Sequence, residues 1–117
     1  MPHIVRNIKD SNPKGITCGI MRKLTDSNDF KDMDFVHVTI KDSTKRHYHK
    51  KLTEVYYVLD GSIDVDIDGR IEHLKKGQMI MMFPDTNHKA WKTSKEDAQI
   101  LVVCCPAWAE EDEILVE

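Results

Sequence analysis

Turn signals recur through the middle of this chain at short, even intervals, and that rhythm limits what it can fold into. Asp60-Gly61, Asp68-Gly69, Lys75-Lys76-Gly77 and Pro84-Asp85-Thr86-Asn87 leave only short runs between them. A spacing of about 8–12 residues leaves no room for packed helices and is the pattern of an all-β sandwich or barrel. The runs themselves agree. Ile63-Asp64-Val65-Asp66-Ile67 alternates strictly, so one face is buried and the other wet. Asp68-Gly69 is a favoured hairpin dipeptide, which makes Arg70 to Leu74 the returning strand. Phe35 to Ile40 and Val55 to Leu59 are rich in β-branched and aromatic residues and read as strands. Gln78 to Phe83 has almost no polar interruption, which predicts burial on both faces, with Met79, Met81 and Met82 filling the interior. Lys89 to Thr93 leads away from the Pro84 turn, and Ala98 to Cys105 is a long apolar strand closed by Pro106.

No segment holds a 3.6-residue apolar stripe over three turns, so helix is minor or absent. Ile16 to Leu24 contains a strand, and Thr25 to Asp34 is a polar loop. The acidic tail from Glu110 to Glu117 reads equally as a short helix, an added strand or a disordered end.

A length of 117 residues suits one domain with one core, and no repeat or linker divides residues 1–117. A net charge of -3 makes no electrostatic case for nucleic acid. No apolar run approaches the roughly 20 residues of a membrane span. Met1 to Arg6 lacks the apolar stretch of a signal peptide, so the expected location is the cytoplasm. Cys18, Cys104 and Cys105 are odd in number and form no Cys-x-x-Cys. They read as small buried thiols in a reducing compartment, with Cys104 and Cys105 on opposite strand faces.

His47 and His49 are separated by one residue. On an extended segment such positions face the same way, roughly 6.5 Å apart, so both imidazoles can reach one ion at about 2.0–2.2 Å. Glu54 lies at an odd offset from His49, which on an unbroken strand would put it on the opposite face. If Glu54 joins the site, the chain must turn or bulge between Lys50 and Thr53. His88 follows the Pro84 turn and can enter from another strand. The set lacks cysteine, which argues against closed structural zinc and for a site with open positions.

His-x-His-x4-Glu-x6-Gly from His47 to Gly61, then Gly-x6-Pro-x3-His from Gly77 to His88, closely resembles the two motifs of the cupin superfamily. The first is matched in full from His47. The second departs at Phe83, where a proline is usual, at Asp85, where a glycine is common, and at Lys92, where an asparagine often stands. Lys41 likewise replaces the glycine that often opens the first motif. None of these is a metal ligand. The resemblance covers roughly residues 35 to 105. It implies a small single-domain conserved-barrel cupin (cupin type 2), a double-stranded β-helix or jelly-roll-like barrel with a metal inside, commonly a homodimer. The ligands it implies are His47, His49, Glu54 and His88, holding one divalent transition metal per chain: Fe, Mn, Ni, Co or Zn.

The function expected is metal-dependent chemistry of dioxygenase, isomerase or lyase type on a small, oxygen-rich or anionic molecule. The alternative is a barrel that binds or senses a small ligand without turnover. No DNA-binding segment accompanies the barrel, which argues against a one-chain transcription regulator. Lys41, Lys45, Arg46, Lys50 and Lys51 crowd the first motif and read as a basic rim for an anion or as a solvated loop. Tyr56 shares the face of Glu54 and is the candidate for proton transfer, or a core aromatic. His37 and His73 lack fitting spacing. Trp91 and Trp108 read as core or dimer-interface residues, with Trp108 alternatively a lid over the barrel mouth.

Overall fold

The computed structural model describes residues 2–117. Its strands are β1 (Lys14–Ile16), β2 (Gly19–Lys23), β3 (Asp34–Ile40), β4 (His47–His49), β5 (Thr53–Asp60), β6 (Ser62–Ile67), β7 (Arg70–Lys75), β8 (Met79–Met82), β9 (His88–Lys92), β10 (Ala98–Cys105) and β11 (Glu113–Leu115). Helix among the described residues is confined to short 3-10 turns at Ile8–Asp10 and Glu110–Asp112. The strands form two antiparallel sheets, β1-β2-β3-β10-β5-β8 and β11-β4-β9-β6-β7. They face one another as a sandwich whose sheets do not close into one continuous barrel.

Period-two patterning sorts the side chains. Glu54, Tyr56 and Val58 on β5 point inward, as do Ala98, Ile100, Val102 and Cys104 on β10. Ile63 and Val65 on β6 and Ala90 on β9 meet them from the second sheet, all fully buried. Each buried Val or Ile contributes about 1.5–3 kcal/mol relative to exposure, so this two-sided interior is the main source of stability. The hairpin at Asp68-Gly69 has positive φ at both positions and pairs Ile67 with Arg70, as the dipeptide predicts. Gly61 ends β5 at φ 76°, and a Cβ there would lie 2.6 Å from Ser94 Oγ and 3.1 Å from Ala98 Cα. The turn therefore needs glycine for both conformation and space.

Three expectations are corrected. β8 is not buried on both faces. It is an edge strand paired only with β5, and Met79 and Met81 are exposed while Met82 alone is buried. Cys105 is exposed, whereas Cys18 and Cys104 are buried. Trp108 is exposed, which removes the core alternative from its reading and keeps those of interface and lid. The tail resolves into a 3-10 turn followed by β11, which adds to β4 with Glu113 opposite His49 and Leu115 opposite His47.

Candidate metal centre

β4 presents His47 and His49 on one face, as the i, i+2 spacing requires, with Tyr48 between them turned away. β9 pairs with β4 at a single register position, which sets His88 directly across from His47. These three histidines belong to the five-stranded sheet, and Glu54 comes from the six-stranded one. The chain crosses between sheets at Lys50 to Leu52, where it leaves strand conformation. That break is the turn demanded by the odd offset from His49 to Glu54. Four ligand atoms, one each from His47, His49, Glu54 and His88, lie within 4.8 Å of one another, and all four residues are buried.

The donor set fits a divalent metal. His47 Nδ1 lies 2.7 Å from the Lys45 carbonyl oxygen and His88 Nδ1 2.9 Å from that of Thr86. A carbonyl only accepts, so each Nδ1 carries a proton, and in the neutral ring that leaves Nε2 as the nitrogen able to coordinate. Both ring nitrogens of His49 are buried without a hydrogen-bond partner. Such orphaned polar atoms cost about 1–3 kcal/mol each unless a bound group satisfies them. Opposed ligands on one ion stand about 4 Å apart, close to the spread found here.

Electrostatics holds the carboxylate ready. Burial alone would raise Glu54, but the imidazoles of His49, at 3.7 Å, and His88, at 3.2 Å, outweigh it and hold its carboxyl well below the usual range. His47 is pushed down by burial and by the neighbouring His88, which favours its neutral, coordinating form. Burial would lower His49 too, yet the adjacent Glu54 raises it overall. Cys104 Sγ donates to the far oxygen of Glu54 at 3.7 Å.

A cavity of about 540 Å³ opens beside this cluster, with His47, Glu54 and Tyr56 among its lining residues. Its walls are chiefly apolar, from residues such as Val38, Ile100 and Val102. Tyr56 is buried, and burial and the Glu54 charge raise its hydroxyl far above the ordinary tyrosine value. The hydroxyl therefore keeps its proton and can offer it in a hydrogen bond.

The basic rim is only partly where the sequence placed it. Lys45 lines the cavity, but Lys41 pairs with Asp97, Arg46 pairs with Asp66, and Lys50 and Lys51 are exposed away from it. The other cavity lysines are Lys14 and Lys23, from the two strands least legible in the sequence. Trp108 also lines the cavity, held by its backbone N–H on Asp34. His37 lies outside the cluster, and exposed His73 pairs with Asp64. Sequence reasoning missed the tail's share. Glu113 lines the cavity with Oε1 3.7 Å from His47 Nε2, and Asp112 packs behind His49. The signal available was Ile114-Leu115-Val116, an apolar strand-like run after the acids.

The family model described as "Cupin domain" matches residues 35–104. An uncharacterized protein of Methanocaldococcus jannaschii is 30% identical over 80 residues, covering 68% of this chain and 64% of that protein. Among solved structures, a variant of Streptomyces Pac13 with uridine superposes with a TM-score of 0.84 at 15% identity, covering 100% of this chain and 93% of that one. Pac13 is described as a nucleoside dehydratase. Oxalate decarboxylase of Bacillus subtilis superposes with a TM-score of 0.78 at 21% identity, covering 97% of this chain but 33% of that one. At these identities the structural likeness speaks to fold. The chain spans just under two thirds of the archaeal relative and one third of the decarboxylase.

Proposed function

The chain belongs to the cupin family, and from that premise we propose that it holds one divalent transition metal through His47, His49, Glu54 and His88 and acts on a small organic anion in the adjoining cavity. The observation that carries this reading is the convergence of four buried ligand atoms within 4.8 Å, two of them from residues that line that cavity. A divalent ion there supplies Lewis acidity, or a redox centre if it is iron. The chain's own residues supply the rest. Lys14 and Lys45 attract negative charge while Lys23 is paired with Asp34, the apolar walls take a carbon body, and Tyr56 offers a hydrogen bond. The small molecules in the names of the structural relatives, uridine and oxalate, belong to the same oxygen-rich class. Chemistry of isomerase, lyase or dioxygenase type follows from such a site.

Binding without turnover is the second reading, and the largely apolar cavity wall favours it, because capture needs no further polar group. In both readings residues 1–117 form one cupin domain, working in the cytoplasm as a homodimer. A solution mass of twice that of the chain checks the assembly.

The test is elemental analysis of untagged protein after anaerobic reconstitution. About one equivalent of metal per chain is expected, lost when His47 and His88 are both changed to alanine. Absence of stoichiometric metal would overturn the reading, and retention by the double variant would overturn the ligand assignment. Oxygen uptake on adding candidate organic acids separates oxygenase chemistry from the rest.

A further inference from the structure

The turn between His49 and Glu54 carries the chain from one sheet to the other, and it does so against a single residue of the tail. Lys51 N–H donates to Asp112 Oδ1 at 2.8 Å, and Leu52 N–H donates to Asp112 Oδ2 at 3.1 Å. The preceding amide, of Lys50, donates to the Asp112 backbone carbonyl at 3.2 Å. Successive backbone amides thus converge on one residue, a concavity suited to a carboxylate. Asp112 is buried, and among the described residues no lysine or arginine nitrogen lies within 4.0 Å of its carboxylate. A buried carboxylate without a cationic partner is costly unless hydrogen bonds satisfy it, and here the turn's amides do so. Oδ2 also lies 3.9 Å from His49 Nδ1, beyond hydrogen-bond distance, on the ring edge away from Glu54.

We propose that Asp112 is a positioning residue of the metal centre, clamping the His49–Glu54 turn and orienting the His49 ring from behind. The strand that follows it reinforces the clamp, because β11 pairs with all of β4 whereas β9 pairs with β4 only through His47 and His88. By holding the turn that links two ligands and packing behind one of them, an outer residue can set ligand placement and metal affinity without touching the ion. Asp112 is therefore not a catalytic residue. It acts by setting the distance across the sheets between an imidazole and a carboxylate that lie five positions apart in sequence.

This inference rests on the metal-centre reading, so the experiment separates the two. The Zn(II) dissociation constant is measured by chelator competition, and the visible spectrum is recorded with Co(II), on the full chain and on Asp112→Asn, Asp112→Ala and Glu110→Gln. Glu110 is an exposed residue of the same 3-10 turn and serves as the control. The expected result is a loss of affinity of about 10–100-fold for Asp112→Asn with an altered Co(II) spectrum, and wild-type behaviour for Glu110→Gln. Asparagine keeps one acceptor for the turn, so this variant decides the matter if Asp112→Ala does not fold. Wild-type affinity and spectrum in Asp112→Asn would overturn the inference while leaving the metal centre standing, even if its metal-free form melts lower. Failure of the unaltered chain to take up one equivalent would overturn both.

Discussion

Cys18 and Cys104 lie inside the sandwich, and Cys105, one step further along β10, lies outside it. Their neighbourhoods set their chemistry. Burial pushes the Cys18 thiol from 9.0 up to about 11, and burial together with the Glu54 charge pushes Cys104 higher still. Iodoacetamide at pH 8 is expected to modify Cys105 in the native chain and all three cysteines after denaturation. Mass spectrometry reporting native labelling at Cys18 would contradict the burial. The same shift predicts a pH dependence. The folded chain holds the Cys18 proton more tightly than the unfolded one, so this contribution is full below pH 9.0 and is lost as pH rises toward about 11. The slope is at most about 1.4 kcal/mol per pH unit for one such group. Urea unfolding of the full chain and of Cys18→Ala across this range should show a shallower decline in the variant. Parallel declines would count against it. At this scale the spacing of His47 and His49 was readable, because their shared face needs only the pleat. The cavity lysines were not, because Lys14 and Lys23 reach the cavity from strands distant in sequence.

Between β2 and β3 the two backbones approach so closely that one position admits only glycine. A Cβ on Gly19 would fall 1.9 Å from the Thr39 carbonyl oxygen and 3.1 Å from the Lys41 amide nitrogen. Neither obstacle is a flexible side-chain end, so the strands themselves must part. Gly19→Ala is expected to destabilise by about 1–3 kcal/mol, read as a lowered urea midpoint. An unchanged midpoint would show that this pairing is loose. Most strands were legible from alternation and turn chemistry, as in β6, Asp68-Gly69 and β7. The exception, β8, shows the limit. An unbroken apolar run looks the same whether a sheet covers it or ends at it. Pairing with β5 alone left Met79 and Met81 exposed opposite Tyr57 and Val55. The tail posed the reverse problem, since its acids suggested a solvated end while Ile114 and Leu115 supplied a strand.

The whole molecule is a sandwich whose cluster draws three ligands from one sheet and the fourth from the other, with the tail packed behind them. Removing residues 110–117 would strip β11 from β4 and leave the amides of the His49–Glu54 turn without Asp112. The truncated chain is expected to melt lower when metal-free and to retain well under one equivalent of Zn(II). Differential scanning calorimetry and elemental analysis check these separately, and full metal retention would make the tail dispensable to the cluster. The sequence by itself determined the all-β class, the hairpins, the chemical identity of the His47, His49, Glu54 and His88 set, and the need for a turn after His49. These follow from local rules of pleat and turn, and from a spacing pattern that the family shares. Only the tertiary structure decided that the turn is held by Asp112, that β8 is an edge, and that the cavity's lysines come from β1, β2 and the segment before β4. Those outcomes depend on which strands become neighbours, and strand pairing between distant segments leaves no mark in either segment alone.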